Sequence, residues 1–271
     1  MAQIIDGKAL AARIKEKMST QMPNLEAKYG RRPSLYIILV GDDEGSQRYV
    51  KHKLAAAASV GMDSRLITLE PTITEKELLD LIHVLNEDPL VDGILVQLPI
   101  PKHLNEYHII QAIDKGKDVD GFHPLSKLDP CTPRGIMNYL NSEKIQIQGK
   151  NAVVIGRSNI VGKPMARLLL AANANVTVLH SKTSFEDMSR YIANADIIVI
   201  AIGKAGFLDE KFSYKPDAII VDVGINRLED GLHGDAIPNL LVGLQTPVPG
   251  GVGLLTRLAL YENLLTIVNG K

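Results

Sequence analysis

Apolar residues recur along this chain with two periods, which predict alternating helices and strands. Helical spacing extends over residues 6–28, whose apolar face consists of Leu10, Ile14, Met18, Met22 and Leu25. Further helices are predicted at 46–60, at 135–141, at 163–172, at 185–193, at 254–268, and after a capping box of Thr74 and Glu77. Nearly continuous apolar runs predict buried strands at 34–40, 64–69, 93–98, 151–155, 176–179, 197–201 and 218–223. This alternation favours an α/β fold with parallel sheets.

A loop-like stretch divides the pattern into two series. Residues 115–134 are rich in Asp, Gly and Pro, and we expect the domain boundary and a ligand-binding cleft there. Residues 246–253 are so rich in Gly and Pro that we expect a tight, exposed loop rather than a helix or a strand. The alternative is a simple linker into the last helix.

Composition excludes several classes of protein. The chain has 271 residues, with 30 Lys and Arg against 31 Asp and Glu, so a nucleic-acid binder with a basic surplus is not expected. The single cysteine, Cys131, excludes a disulfide framework and a multi-cysteine metal site, and we expect no metal. The chain contains no run of about 18 apolar residues and no signal pattern at its start. We therefore expect a cytoplasmic enzyme or binding protein that does not contact membranes.

The segment 153–164 is the strongest indication of a ligand. It is typical of a buried strand, a turn of small residues and a helix, as in the first βα turn of dinucleotide-binding folds. Backbone N–H groups and the helix dipole at such a turn can hold a pyrophosphate. The spacing from Gly156 to Gly162 is G-x-S-x-x-x-G, with Ser158 in place of the usual middle glycine, so a turn without ligand is the alternative.

The second strand of this series indicates which dinucleotide binds. An NAD site places an acidic residue at that strand's end, but here Leu179 is followed by His180, Ser181 and Lys182. Ser181 can donate a hydrogen bond, and Arg157 and Lys182 supply positive charge. This set suits a 2′-phosphate and predicts NADP, although a lone lysine is usually just solvated.

Two polar features stand out in the N-terminal half. Tyr49 and Lys53 lie four residues apart, on one face of a predicted helix beside an apolar stripe, where a partly desolvated lysine can transfer protons. The alternative is an ordinary surface pair. Gln97 ends the apolar run 94–96, at the carboxyl end of a strand, where open α/β sheets bind ligands.

These segments together resemble the bifunctional methylenetetrahydrofolate dehydrogenase/methenyltetrahydrofolate cyclohydrolase family, over nearly the whole chain. The matching motifs are Tyr49–Lys53, Val96–Pro99, Lys117–Gly121, Pro130–Pro133, Gly156–Pro164, Asp222–Asn226 and Thr246–Gly253. The resemblance implies two αβ domains around a cleft that binds tetrahydrofolate. It implies a folate domain of residues 1–121 with the returning helix 254–271, and a Rossmann-like NADP-binding domain of residues 122–253.

The resemblance also implies residue roles. Lys53 matches the essential lysine and Gln97 its polar partner, while Tyr49 orients the folate and the lysine. Asp120 matches the carboxylate that binds the pterin. The other implied folate contacts are Leu98, Pro249 and Gly250, and the implied NADP contacts are Gly156, Arg157, Ser158, Ser181, Ile225 and Thr256.

The family's chemistry suits these residues. Oxidation of the methylene bridge gives a cation stabilised by two folate nitrogens, so positioning is the protein's main task. Water addition then requires proton transfer, for which Lys53 is the candidate. The resemblance further implies a homodimer in one-carbon metabolism and purine biosynthesis. The alternatives are a dehydrogenase without cyclohydrolase activity and a non-catalytic NADP-binding protein.

The chain departs from the family pattern in two places. Leu254 and Leu255 follow Gly253 where the family usually has Pro-Met, and the stretch after Asp235 is shorter than in many members. We expect these departures to affect the geometry of the last loop rather than the candidate catalytic residues.

Overall fold

A computed structural model describes residues 3–4 and 7–270, which form two compact units. We call residues 13–131 with 257–270 the three-stranded unit, and residues 3–4, 7–12 and 132–256 the six-stranded unit, after their main sheets. Both are α/β structures with parallel strands, as the alternating pattern predicts.

The bounds of the elements follow most of the predicted segments. In the described residues the helices are α1 Gly7–Ser19, α2 Met22–Tyr29, α3 Glu44–Ser59, α4 Glu75–Glu87, α5 Glu106–Ala112, α6 Cys131–Ser142, α7 Gly162–Ala171, α8 Phe185–Ala193 and α9 Val252–Asn269. The strands are β1 Gln3–Ile4, β2 Ser34–Val40, β3 Asp63–Leu69, β4 Gly93–Val96, β5 Asn151–Ile155, β6 Asn175–Leu179, β7 Ile197–Ile200, β8 Ile219–Asp222, β9 Asn226–Leu228, β10 Gly231–His233 and β11 Leu244–Gln245.

The three-stranded unit contains a parallel sheet of order β3-β2-β4. Strand β2 lies in the middle, with Ile38 paired to Ile67 on one side and to Val96 on the other. Its core includes Ile38, Ile82, Ile94 and Ile109, all fully buried. The capping box predicted at Thr74 begins α4, because the Thr74 hydroxyl accepts from the Glu77 amide and the Glu77 carboxylate accepts from the Thr74 amide.

The six-stranded unit has its strands in the order β1-β11-β8-β7-β5-β6, all parallel. The chain runs outward from β5 to β6 in one direction and to β7 and β8 in the other. The strand order therefore reverses between β5 and β7, and open α/β sheets bind ligands outside the carboxyl ends of the strands at such a point. A separate antiparallel hairpin joins β9 to β10.

Local chemistry explains where the elements differ from the predicted segments. The predicted helix at 6–28 is two helices, since Pro23 starts α2 and Gly30, at φ +69°, ends it; Asp6 lies outside the described residues. Helix α6 begins at Cys131, within the expected loop, because Pro133 is compatible with a first helical turn. Helix α9 begins at Val252, so the last two residues of the expected loop 246–253 are helical.

The compact units also differ from the expected domain bounds. The chain passes between them after residue 131 rather than after 121, because Asp129 is held within the three-stranded unit by a hydrogen bond from Asn263. Strand β1 belongs to the six-stranded unit, where it pairs with β11. Residues 257–270 lie in the three-stranded unit with residues 13–131.

The described residues contain neither a membrane-spanning helix nor a cluster of metal ligands. None of their helices is both long enough and apolar enough to cross a membrane. The same part of the chain holds no group of three or more His, Cys, Asp or Glu side chains placed to bind a metal ion.

Candidate active site

Helix α3 carries the first two candidate catalytic residues. Asp43 caps its start by accepting from the Ser46 amide at 2.7 Å. Tyr49 is 45% exposed, and Lys53, one turn later, is half-buried. The Lys53 Nζ atom donates to Gln97 Oε1 at 2.9 Å. The structure thus brings together the lysine and the glutamine, which are 44 residues apart in sequence.

The Gln97 side chain is held in one orientation. It follows β4 directly and is buried, and its backbone amide donates to the Ile38 carbonyl at 2.8 Å. Its Nε2 atom donates to the Leu98 carbonyl at 2.6 Å, so Oε1 is the atom that accepts from Lys53. The amide therefore directs the lysine ammonium to one place at the carboxyl end of the strand.

Asp120 lies in the same unit, beside Lys53. Burial raises the pKa of its carboxyl group, while the Lys53 charge and a hydrogen bond from Cys131 act in the opposite direction. Cys131 Sγ lies 3.6 Å from Asp120 Oδ1, and burial raises the pKa of this thiol well above its usual value. The cysteine is therefore a neutral donor to the carboxylate.

Asp118, two residues before Asp120, has a structural role. It is buried, and burial raises the pKa of its carboxyl group to about 6. Its carboxylate accepts from the His123 amide at 2.9 Å, and Asp118 forms a backbone bridge to Ile94 in β4. Asp118 thereby ties the loop that carries Asp120 to the central sheet.

Two residues of α9 support this loop and α3, and the sequence analysis did not single them out. Asn263 is fully buried, and its Nδ2 atom donates to the carbonyls of Val119 at 2.8 Å and Asp129 at 3.0 Å. The Tyr261 hydroxyl donates to the backbone carbonyl of Lys53. The sequence signal for Asn263 is an asparagine in a mostly apolar helix, since a buried amide needs partners.

Ser46 is a third residue that the sequence analysis missed. Its side chain is buried, and its hydroxyl is the one buried side-chain polar atom without a hydrogen-bond partner in the part of the chain that the structure describes. It lies on α3 one turn before Tyr49 and two turns before Lys53, so the three share a helix face.

The turn after β5 requires glycine at two positions. Gly156 has φ +122°, and a Cβ atom there would lie 2.5 Å from the Ala201 carbonyl oxygen; at Gly162 it would lie 2.3 Å from the Gly156 carbonyl oxygen. Ser158 Oγ accepts from the amides of Val161 and Gly162, at 3.1 and 3.3 Å. Ser158 thus bonds two amides at the start of α7, and the exposed residues 157–160 are the part of the turn that a phosphate can reach.

The candidate 2′-phosphate contacts lie at one edge of the six-stranded sheet. Ile155 pairs with Leu179, and the Gly156 amide donates to the Leu179 carbonyl at 2.9 Å. Arg157 and Ser181 follow these two strand ends, and both are exposed. The phosphate of a dinucleotide therefore fits this edge, where Arg157 follows β5 and supplies a cation, and Ser181 follows β6 and supplies a hydroxyl. No carboxylate follows β6 at this position.

The remaining candidates lie in the same unit. Ile225 follows β8 and is 48% exposed. Pro249 and Gly250 lie in the turn before α9, where Gly250 has φ +104°. The Thr256 hydroxyl lies 3.1 Å from that of Thr132 and 3.2 Å from the Val252 carbonyl.

Comparison with known proteins identifies the family. The model of the tetrahydrofolate dehydrogenase/cyclohydrolase catalytic domain matches residues 5–120, and that of the family's NAD(P)-binding domain matches residues 130–271. This chain belongs to the tetrahydrofolate dehydrogenase/cyclohydrolase family. The expected family, the two-domain α/β fold and the expected kind of enzyme are thereby confirmed.

Individual relatives match nearly the whole chain. It is 50% identical to the bifunctional protein FolD of Streptococcus pneumoniae serotype 4, over 97% of this chain and 95% of the relative. The crystal structure of the bifunctional enzyme FolD from Campylobacter jejuni superposes with a TM-score of 0.95 at 44% identity, covering 100% of this chain and 99% of that one. The Trypanosoma brucei enzyme, solved with NADP and an inhibitor, has a TM-score of 0.95 at 34% identity, covering 99% and 98%.

Proposed function

We propose that this protein oxidises 5,10-methylenetetrahydrofolate to 5,10-methenyltetrahydrofolate with NADP, and then hydrolyses the product to 10-formyltetrahydrofolate. The observation that carries the proposal is the hydrogen bond from Lys53 to Gln97 beside Asp120. At the carboxyl end of β4, this arrangement places Lys53, which can transfer protons, next to Gln97, which orients it, and to the carboxylate of Asp120. Family membership supports both activities.

The oxidation depends mainly on holding the substrate. NADP, when bound, supplies the acceptor for the hydride that leaves the bridging carbon. The positive charge that develops is shared by the two folate nitrogens, so this step needs no protein base. Asp120 accepts hydrogen bonds from the pterin, and Tyr49 lies against the folate from the exposed side of α3. Leu98, Pro249 and Gly250 complete the proposed folate contacts.

The hydrolysis requires proton movement at Lys53. Water bonds to the methenyl carbon and loses one proton, which leaves a hydroxyl group on that carbon. This hydroxyl then loses its own proton and becomes the formyl C=O, while the bond from the carbon to one folate nitrogen breaks and the nitrogen is protonated. The Lys53 ammonium donates one hydrogen to Gln97 and has two others for water and substrate. Lys53 is therefore the group that transfers these protons, and Gln97 fixes its position.

The cofactor preference follows from the edge formed by β5 and β6. Arg157 and Ser181 are exposed at adjacent strand ends, and neither strand end carries a carboxylate that would repel a phosphate. The proposed cofactor contacts are Gly156, Arg157, Ser158, Ser181, Ile225 and Thr256. A solved relative with bound NADP supports NADP as the cofactor.

An assay with two signals tests the proposal. Purified protein is given methylenetetrahydrofolate with NADP, or with NAD, and NADPH formation and methenyltetrahydrofolate decay are followed in one sample. We expect both signals, with spontaneous hydrolysis subtracted. NADPH formation without accelerated decay indicates a dehydrogenase alone, and NADP binding without either signal indicates a non-catalytic protein.

The oligomeric state, the location in the cell and the metabolic role of the protein remain predictions. We propose a homodimer, a cytoplasmic location and a role in one-carbon metabolism that supplies purine biosynthesis, since 10-formyltetrahydrofolate is a formyl donor. Sedimentation equilibrium tests the first statement, because a homodimer has twice the chain mass of 29.6 kDa. Fractionation of the source cells and purine dependence of a deletion strain test the others.

A further inference from the structure

Asp235 is a buried carboxylate that the proposed function does not use. Its side chain is fully buried and lies just after the β9–β10 hairpin. Its Oδ2 atom accepts from the amides of Ile202 at 2.7 Å and Gly203 at 3.0 Å, and its Oδ1 atom from the Lys204 amide at 2.7 Å. Three consecutive backbone N–H groups therefore converge on one carboxylate, as they do around bound anions.

The same carboxylate is tied to the segment after β8. Asn226 Nδ2 donates to Asp235 Oδ1 at 2.9 Å, and a Cβ atom on Gly224 would lie 2.3 Å from the Asp235 carboxyl carbon. Asp222 accepts from the amides of Asp235 and Ala236, at 3.0 and 2.8 Å. Every second residue of the segment 222–226, namely Asp222, Gly224 and Asn226, thus contacts Asp235 and helps to hold it in position.

The loop that Asp235 holds lies beside the phosphate turn. It follows β7, the neighbour of β5 at the point where the strand order reverses. The Ala201 carbonyl packs against Gly156 so closely that a Cβ atom on this glycine would meet it at 2.5 Å, and would meet Ile202 Cγ2 at 3.5 Å. The loops after β5 and β7 therefore form the two sides of the proposed cofactor site.

We propose that Asp235 is a positioning residue for NADP, which holds residues 202–204 in the shape that the cofactor requires. The carboxylate occupies the N–H groups of this loop permanently, so they are not available to the cofactor's phosphates. The phosphates instead depend on Arg157 and on the exposed turn 157–160. The loop is thereby ordered before the cofactor arrives, and binding does not have to supply the ordering free energy.

The test uses Asp235→Asn in the full-length protein. The amide keeps the volume and one acceptor oxygen, but its NH₂ group faces backbone N–H donors. If the loop then keeps its shape in about a tenth of the molecules, the dissociation constant for NADPH rises about tenfold. NADPH binding is measured directly by fluorescence titration, and the KM for methenyltetrahydrofolate in the cyclohydrolase reaction, which consumes no cofactor, is measured in parallel. We expect the NADPH dissociation constant to change far more than this KM.

Asp196→Asn is the matched control. Asp196 lies immediately before β7, at the opposite end of the same strand, and accepts from the Asn151 amide at 2.8 Å and from Lys215 at 2.7 Å. Its loss disturbs the same sheet but not the loop 202–204, so NADPH should bind as it does to the wild-type protein. Equal weakening in both variants, or wild-type affinity in folded Asp235→Asn, overturns the proposal.

A milder variant keeps the test decisive if Asp235→Asn does not fold. Asn226→Ala removes one of the four donors to the carboxylate and should weaken NADPH binding in the same direction by a smaller factor. Wild-type affinity in that variant then overturns the proposal. The inference rests on the proposed function, which fails separately if the wild-type protein does not bind NADPH.

Discussion

Lys53 makes its side-chain hydrogen bond to a glutamine that is itself fixed by the adjacent carbonyl. Lys53→Met keeps the length and apolar volume of the side chain but removes its protons. We expect cyclohydrolase activity to fall by about 10²–10⁴-fold, the usual contribution of a general acid–base group. Dehydrogenase activity should remain measurable, and methenyltetrahydrofolate should accumulate in the assay with two signals.

Lys51→Met is the control, because Lys51 lies on the same helix and is exposed. It should behave as the wild-type protein in both reactions. Equal loss of the two activities in Lys53→Met, with folate still bound, would show that Lys53 positions the substrate in both steps.

Arg157 tests the cofactor preference. Arg157→Ala removes the proposed contact to the 2′-phosphate, and a hydrogen bond to a charged group contributes roughly 1.5–3 kcal/mol. The KM for NADP should therefore rise by about one to two powers of ten, and that for NAD much less. Arg190→Ala, on the exposed side of α8, should leave both unchanged. An equal effect on NAD and NADP would exclude Arg157 as a phosphate contact.

At the scale of elements, α9 stabilises the loop that carries Asp120. Asn263→Ala leaves the carbonyls of Val119 and Asp129 without this donor inside a buried region. The free energy of unfolding should fall by about 1–3 kcal/mol, and the KM for folate should rise as Asp120 loses its support. Urea unfolding and steady-state kinetics measure the two effects. Asn269→Ala, at the exposed end of α9, should change neither quantity.

The elements also show what the sequence could predict. The sequence predicts the type of the long periodic segments correctly, because one face of each is buried. For α8 it also predicts the correct bounds, 185–193. Strands β1 and β11 have two residues each, too short for any period to be visible. An asparagine in a mostly apolar helix indicates that Asn263 needs partners. Those partners, like the donors to Asp235, are distant backbone atoms that no local pattern identifies.

At the scale of the whole molecule, buried carboxylates couple stability to pH. Burial raises the pKa of Asp118 from 3.8 to about 6, so the folded protein holds this proton more tightly than the unfolded chain. The resulting stability is complete below about pH 4 and is lost as the pH rises to about 6. Asp222 has a pKa of about 6 for the same main reason, burial, and should contribute in the same direction.

Asp118→Asn tests this dependence, because the amide can still accept from His123 but does not titrate. Between pH 4 and 6 the variant should gain stability relative to the wild-type protein, by of order 1–3 kcal/mol. Urea unfolding at pH 4, 5, 6 and 7 gives the difference. If the free energies of unfolding of the two proteins change with pH in the same way, Asp118 titrates alike in the folded and unfolded states.

Neither unit is a continuous stretch of chain, and this has a consequence for synthesis on the ribosome. Gly93 packs so closely against Leu264 that a Cβ atom would lie 2.9 Å from its Cδ1 atom, and Tyr29 donates to the Val268 carbonyl at 2.9 Å. Residues 13–131 are translated before residues 132–256, but these partners are translated only after them. The three-stranded unit, which carries Lys53 and Asp120, therefore reaches its final structure only after the six-stranded unit has been translated, although most of it is translated earlier than residues 132–256.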